Sequence, residues 1–243
     1  MITFTKVRWK NFLSTGNTFT EIFLDKNPST LIIGSSANIK GNVKDENEIT
    51  EDFAVITTDF GEMTIEFYPE AAPKHVESFK LLAKEGYFDS TTFHRVMPGF
   101  VIQGGDPNSK DDDRANDGQG GHAGKFYGVW DFSKAPLMKD AVENPDSWLL
   151  PAEFNEIQHE RGMLSMARSH DPHSAGSQFF ICVDATPELD KKYTVFGKVI
   201  SGMEVADRIV AAETPRKQDP NYGKPDKDNP LEPIRMKVKI ESR

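Results

Sequence analysis

The chain has 243 residues, 37% hydrophobic and 28% charged, with 29 Lys and Arg against 38 Asp and Glu and a net charge of −9. That balance suits a folded globular protein, excludes a disordered one, and argues against a broad nucleic-acid footprint, which needs clustered positive charge. The length allows one large domain or two small ones.

In chain order, the first fifty residues read differently from the rest. Ile2 and Phe4, then Val7 and Trp9, alternate as strand residues do, and Ile22 and Leu24 resume the pattern after a turn at Ser14-Thr15-Gly16-Asn17. A short apolar strand, Thr30-Leu31-Ile32-Ile33-Gly34, follows. Positions 2–34 resemble the extreme N-terminus of an SMC-type ATPase of the phage recombination-endonuclease kind, in which such a strand enters a phosphate-binding loop. Here that loop reads Gly34-Ser35-Ser36-Ala37-Asn38-Ile39-Lys40-Gly41: the lysine survives, but Ile39 replaces the second glycine and Gly41 the hydroxyl. Wrapping phosphates needs the glycines and holding Mg²⁺ needs the hydroxyl, so nucleotide binding is not expected. The predicted organisation is an extension over 1–34, a polar link over 35–51 and one domain over 52–243.

From residue 53 the pattern is mostly β. Phe53–Thr58 and Met63–Tyr68 flank Asp59-Phe60-Gly61-Glu62, a hairpin. Pro73 opens a helix with Val76, Phe79, Leu82 and Ala83 on one stripe, and Gly86 ends it. Further strands are predicted near 91–97, 100–104, 163–168, 178–183, 194–200 and 234–240, with a second helix over 203–212. Many short strands with two helices point to a barrel or a sandwich. Two long segments, 122–151 and 214–233, stand apart as insertions. Trp130 and Trp148 in the first are expected to anchor it, the alternative being contact with a partner. The sole cysteine, Cys182, sits in the apolar run Phe179–Val183 and is expected to be a buried thiol in a reducing compartment. No stretch approaches the ~20 apolar residues of a membrane helix, and the charged N-terminus does not read as a signal peptide, so a cytoplasmic protein without membrane contact is expected.

Two runs carry the chemistry. Phe93-His94-Arg95-Val96-Met97-Pro98-Gly99-Phe100-Val101-Ile102-Gln103-Gly104-Gly105-Asp106 strings a guanidinium, an amide and large apolar groups along an alternating segment, and Gly176-Ser177-Gln178-Phe179-Phe180-Ile181 repeats that chemistry. Together they resemble the two characteristic stretches of the cyclophilin-type peptidyl-prolyl isomerases, over about residues 51–243. The resemblance implies a mainly β fold, an eight-stranded antiparallel closed barrel capped by two helices. It also implies acceleration of X–Pro rotation, and hence catalysis of folding, with proline-containing peptides and unfolded proteins as partners. Rotation breaks only amide resonance, a barrier of ~18–20 kcal/mol, so no cofactor, metal or nucleophile is required.

By the same resemblance Arg95 is the donor to the pyramidal prolyl nitrogen and Gln103 holds the carbonyl side, with backbone near Arg168. Phe100, Val101, Phe180 and Leu189 form the proline socket. Ala167 and Gln178 line the neighbouring groove, Gly118 admits substrate backbone, and Tyr193 supplies an aromatic face. Taken singly each has a plainer reading: Arg95 as a surface or ion-paired arginine, the glutamines as amides satisfied by backbone, the phenylalanines as core. The departures are Glu188 where the family often has Trp, from which weak or no cyclosporin binding follows, Val101 for Met, Tyr193 for His and Arg168 for Asn. A non-catalytic proline-binding module is the rival from another class. A metal site at His170 and His173 with His122 or His159, or a hard cation at Asp111-Asp112-Asp113, is a second rival. Oligomeric state and client identity are not legible.

Overall fold

A computed structural model describes residues 6–10, 19–23 and 52–242, the first two stretches as backbone only. The chain divides into compact units Met1–Glu48 and Ile49–Arg243. In the first, β1 (Lys6–Lys10) and β2 (Phe19–Phe23) pair antiparallel, with Val7 opposite Ile22 and Trp9 opposite Thr20. The expected strands at 2–4 and 30–34, the turn at 14–17 and the phosphate-like loop lie outside the described residues.

The second unit runs β3 (Asp52–Thr58), β4 (Gly61–Phe67), α1 (Pro73–Lys84), β5 (Arg95–Val96), β6 (Val101–Gly104), β7 (Val129–Trp130), α2 (Met138–Glu143), β8 (Trp148–Leu149), β9 (Met163–Met166), β10 (Phe179–Cys182), β11 (Thr194–Ser201), α3 (Met203–Ala211), α4 (Pro215–Gln218) and β12 (Met236–Ser242). Eight strands form one curled antiparallel sheet in the order β12-β3-β4-β11-β9-β10-β6-β5. The fold is thus mainly β, as expected, with one refinement: the sheet's edges meet through no ladder. The seam is a single bridge between Thr92 and Arg235, with Phe93 donating to the Ile234 carbonyl and Met236 to that of Thr91. This is why the strand expected over 91–97 shrinks to Arg95–Val96. Its first half bonds toward β12 and its second half pairs with β6. The predicted four-residue hairpin loop is also shorter, since Thr58 pairs with Gly61.

Alternation decides what faces inward. In β3 and β4 the buried positions are Ala54, Ile56 and Thr58, then Met63, Ile65 and Phe67. Helix α1 buries the predicted stripe, and Phe79 at its centre lies 4.9 Å from Phe88, 5.4 Å from Phe179 and 5.6 Å from Phe196 between ring centroids. Lacking a side-chain cap of its own, α1 has the amides of Lys74 and His75 bound by the Glu153 carboxylate, a negative group at the positive helix end. Helix α3 contributes Val205, Ala206 and Ile209 to the same core.

Strands β9 and β10 are buried on both faces. One face enters the main core through Leu164, Met166, Phe179 and Ile181. The other supports a second apolar cluster of Val101, Met163, Phe180, Cys182 and Val195, outside the barrel interior. The site is built on this outer face.

Candidate functional site

Register places the key side chains. Arg95 is opposite Gln103, Gln103 opposite Phe180, and Val101 opposite Cys182, so all project from the sheet's outer face. A one-residue slip would send every one of them into the core. The mouth of a cavity of about 180 Å³ is lined by Arg95, Phe100, Val101, Gln103, Ala167, Arg168, Phe180, Leu189 and Tyr193. Nine of the eleven sequence-predicted residues therefore share one apolar pocket. The other two, Gly118 and Gln178, line an adjoining cleft that shares Gln103, Ala167 and Arg168 with it.

A directed chain of hydrogen bonds runs through the polar side. Arg95 Nη1 donates to Gln103 Oε1 at 3.2 Å, Gln103 Nε2 to Gln178 Oε1 at 3.0 Å, and Gln178 Nε2 to the Gly120 carbonyl at 2.8 Å. Each amide therefore has its orientation fixed by both neighbours. One Arg95 N–H is committed to Gln103, and the guanidinium carbon lies 6.0 Å from the Phe100 ring centroid. The guanidinium is thus aimed along the pocket rim with further donors to offer. Of the two plain readings for the glutamines, Gln178 does reach backbone, while Gln103 bonds only side chains.

The apolar wall is braced from behind. Phe180 packs edge-on against Tyr193 at 5.7 Å, with the His159 ring stacked beneath it at 6.0 Å. His159 is held by Asp190 at 3.0 Å and Ser165 at 3.0 Å. Arg168 does more than the backbone role expected of its position. Its guanidinium lies 4.6 Å over the Tyr193 ring and 5.7 Å over Phe154, and donates twice to the Lys192 carbonyl. The arginine in place of Asn and the tyrosine in place of His thus form one stacked pair at the pocket edge. Glu188 is exposed and does not line the pocket.

Gly118 has a conformational reason to be glycine as well. Its φ is +84°, and an added Cβ would meet nothing closer than 3.6 Å, at His94. The positive φ by itself favours glycine here, and the space above it is open to the approach of a substrate backbone. Gly120 is the crowded one: a Cβ there would fall 2.5 Å from Asp106 Oδ1.

Two residues of this region escaped the sequence reading as site residues. Asp106 is fully buried, and its carboxylate accepts the amides of Asn108, Gly118 and Gly120, tying the glycine loop to the end of β6. The legible signal was Asp before Pro107, an N-cap pattern that opens the 3₁₀ turn 107–110. His94 lies beneath Gly118 with neither ring nitrogen hydrogen-bonded. Burial drives its pKa down to about 4, partly countered by the nearby Asp106 charge, so the imidazole is neutral.

The remaining expectations resolve individually. Trp148 packs on the main core and donates from Nε1 to the Ala141 carbonyl at 2.7 Å, which is anchoring. Trp130 instead lines the adjoining cleft. Cys182 is buried, and desolvation pushes its thiol up to about 11. His173 accepts from the Ala152 amide, His122 reaches the Ala123 carbonyl, and Asp111 and Asp113 bond nearby amides. Among the described residues no three His, Cys, Asp or Glu side chains converge, so the metal reading has no geometric support. No described helix is long and apolar enough to cross a membrane.

An eight-stranded curled sheet bearing an arginine and an amide beside a proline-sized apolar pocket on its outer face defines a class of peptide-binding barrel. The comparisons give that class its family. Residues 53–238 match the cyclophilin type peptidyl-prolyl cis-trans isomerase/CLD family model. The chain is 39% identical over 159 residues to the "Probable peptidyl-prolyl cis-trans isomerase" of Brucella abortus, covering 65% of this chain and 71% of that one. It is 36% identical over 182 residues to the isomerase ppi1 of Schizosaccharomyces pombe, covering 74% and 93%. A cyclophilin-type isomerase of Cryptosporidium parvum, solved in the presence of the dipeptide Ala-Pro, superposes with a TM-score of 0.60 at 27% identity, covering 79% of this chain and 99% of that one. This chain belongs to the cyclophilin-type peptidyl-prolyl cis-trans isomerase family, and it is an isomerase acting on the peptide bond before proline.

Proposed function

We propose that the pocket accelerates X–Pro rotation in flexible or unfolded polypeptides through Arg95. In the twisted amide the prolyl nitrogen becomes pyramidal and gains a lone pair, and a guanidinium N–H beside it bonds strongly only in that state. Such a charge-assisted bond contributes about 1.5–3 kcal/mol, or roughly one to two powers of ten in rate. Phe100, Val101, Phe180 and Leu189 hold the ring. Gln103 and backbone near Arg168 receive the carbonyl side, while Gln178 keeps the Gln103 amide from rotating. The observation that carries this reading is the Arg95–Gln103 pair, 3.2 Å apart at the rim of a pocket whose other walls are apolar and aromatic groups and Arg168. The Ala-Pro dipeptide present with the C. parvum neighbour is chemistry of the size this pocket would take.

The test is the cis-to-trans rate of a short Ala-Pro peptide with the wild type and Arg95→Ala. The expected result is an acceleration that drops ten- to a hundredfold, by the estimate above, in a variant that stays folded. No acceleration by the folded wild type would leave a proline-binding module. Weak cyclosporin binding belongs to the same proposal, on the strength of Glu188 standing outside the pocket. So does a cytoplasmic setting, supported by the sole cysteine being a buried free thiol. The division at about residue 50 is supported by the two compact units, and the reading of 122–151 and 214–233 as insertions rests on the sequence. The ATPase-like reading of residues 2–34 rests on their sequence alone, since the family match begins at residue 53.

A further inference from the structure

Among the described residues six large apolar side chains stand well exposed, and four of the six fall within positions 132–142. Phe132, Leu137 and Met138 show 68%, 64% and 65% of their surface, and Val142 shows 45%. A lone exposed apolar residue needs no explanation, whereas a group of them in one short segment does. Leu137 stands at the N-cap of α2, and Met138 and Val142, four positions apart, share one face of that helix. The helix is attached elsewhere: Ala141 is fully buried, and its carbonyl accepts from Trp148 Nε1 at 2.7 Å and Ser147 Oγ at 3.4 Å. A helix of six residues has no stability of its own, so these bonds hold the exposed face in place.

Size, charge and position identify the occupant. Even at about 200 Å² per side chain, the exposed parts of these four offer at most roughly 500 Å², short of the about 800 Å² that each partner of a stable complex buries. A second copy of the chain would therefore be held poorly, while a short stretch of flexible chain needs no more. Charge gives no other partner a grip. Asp131 accepts from Ser133, Lys134 Nζ reaches the Asp146 carbonyl, and Lys139 lies 4.0 Å from Glu143, so over 131–143 Asp140 alone has no partner among the described residues. Phe132 also lines the cleft beside the proline pocket, so the group begins where a client chain is seated and continues onto α2. Leu137, Met138 and Val142 stand outside that cleft's lining, and methionine adapts its shape to varied partners.

We propose that α2 and the turn before it form a holding site for short apolar stretches of unfolded polypeptide, separate from the proline pocket and indifferent to proline. The choice of occupant rests on the isomerase reading above, which makes flexible chains the clients. Binding itself needs neither Arg95 nor a proline.

The test uses the full chain and a labelled, proline-free peptide, Gly-Ser-Leu-Phe-Val-Leu-Ala-Ser-Gly, with a control in which Leu, Phe and Val are replaced by Ser. Affinities are read by fluorescence anisotropy. The wild type should bind the apolar peptide about tenfold tighter than its control. Met138→Gln combined with Val142→Thr should erase that margin, and Met138→Leu should keep it. Both positions are exposed, so the variants should fold, with unchanged melting curves and a wild-type cis-to-trans rate on a short Ala-Pro peptide. Arg95→Ala should bind the apolar peptide as the wild type does, so a failure of the isomerase mechanism would leave this result standing. Equal affinity for the two peptides overturns the holding site and leaves the isomerase reading intact, as does a margin that survives the double variant. Displacement of the apolar peptide by saturating Ala-Pro peptide would assign its binding to the proline pocket and overturn the proposal. A concentration-dependent dimer abolished by the double variant would give the face to a second copy of the chain and overturn it as well.

Discussion

Segments 122–151 and 214–233 are both long excursions from the barrel, and they are attached in opposite ways. The first is held by burial. Ala123, Ala135, Ala141 and Leu150 are fully buried, Trp148 lies on the main core, and β7 and β8 form a small ladder of the segment's own. The second is held by directed polar bonds. Arg216 grips Asp228 with two contacts at 2.9 and 3.0 Å, Asn229 donates to Asp117 at 2.6 Å, and Lys217 Nζ reaches three carbonyls at the end of α3. Under it lies a cavity of about 320 Å³ whose walls include His94, Arg95, Asp117 and Asp228. Burial of apolar side chains has no charge to titrate or to be screened, whereas bonds between charges answer to both pH and salt. The first segment adds one half-exposed ion pair, Lys125 to Glu77 at 2.7 Å, so the same barrel carries one excursion that should answer weakly to solution conditions and one that should answer strongly.

The largest effect falls on His94. Its folded pKa is about 4, against 6.5 for the free side chain. Between those values the unfolded chain takes up the proton and the folded chain does not, so stability is lost as pH falls through that window. At about 1.4 kcal/mol per pH unit the full loss is about 3 kcal/mol. The charges facing the ring are Asp106, which favours the proton, and Arg95, which opposes it. His159 slopes the same way, since burial lowers its pKa while Asp190 resists. Urea midpoints at pH 7, 5.5 and 4.5 should therefore fall steeply in the wild type and more gently in His94→Gln. Identical slopes would place the acid sensitivity elsewhere than in His94.

Next is Trp148→Ala, which tests the buried attachment. The indole is half-buried and makes one hydrogen bond, so the expected loss is about 2 kcal/mol, below the range for a fully buried Trp. The loss should be the same in low and high NaCl. A strong salt dependence would show that the first segment also relies on charge.

How much of this was legible in the sequence divides along physical lines. Alternation fixes the side of a strand locally, so Met63, Ile65 and Phe67 were readable as core, as was the α1 stripe, whereas the side of β3 was not, because Phe53 to Ile56 are all apolar. The site was legible through resemblance, and the register then explains why residues so far apart in the chain meet: Gln103 on β6 is cross-strand from Phe180 on β10. What could not be read were long-range polar matches. Nothing near Glu153 in sequence says that it caps α1, 78 residues away. Nothing near Arg168 says that it will stack on Tyr193. The partner switch that shortened β5 was hidden for the same reason, because Thr92 and Phe93 bond to residues some 140 positions later. His94 was hidden within its own motif: an alternating run identifies it as facing away from Arg95, but not that it faces no hydrogen-bond partner.

Arg216→Ala sharpens the polar side of the comparison. Asp228 is buried while Arg216 is partly exposed, so solvent screens some of the pair's energy. Removing the guanidinium leaves a buried carboxylate without its two-point partner, for an expected loss of about 1–2 kcal/mol. The gap between wild type and variant should narrow as NaCl rises. A loss that is indifferent to salt would mean the side chain works through its aliphatic stem.

The smallest effect is Asp117→Asn, and its sign is the informative part. One carboxylate oxygen accepts from Asn229, and the other is buried with no hydrogen-bond partner. Burial raises this pKa above 3.8, with the Asn229 bond and the Arg114 charge opposing. The folded chain thus holds the proton where the unfolded chain has released it. Stability from this group is present below pH 3.8 and lost as pH rises through the folded value. At pH 7 the charge is therefore a cost, and replacing it by a neutral amide of the same shape, which can still accept from Asn229, should stabilise by less than about 1 kcal/mol. The gain should vanish at acid pH, where wild type and variant are both neutral. If Asp117→Asn instead destabilises at pH 7, the Arg114 charge outweighs desolvation, and the second segment is held by field as much as by hydrogen bonds. High salt would then weaken it in the wild type and leave the variant unmoved.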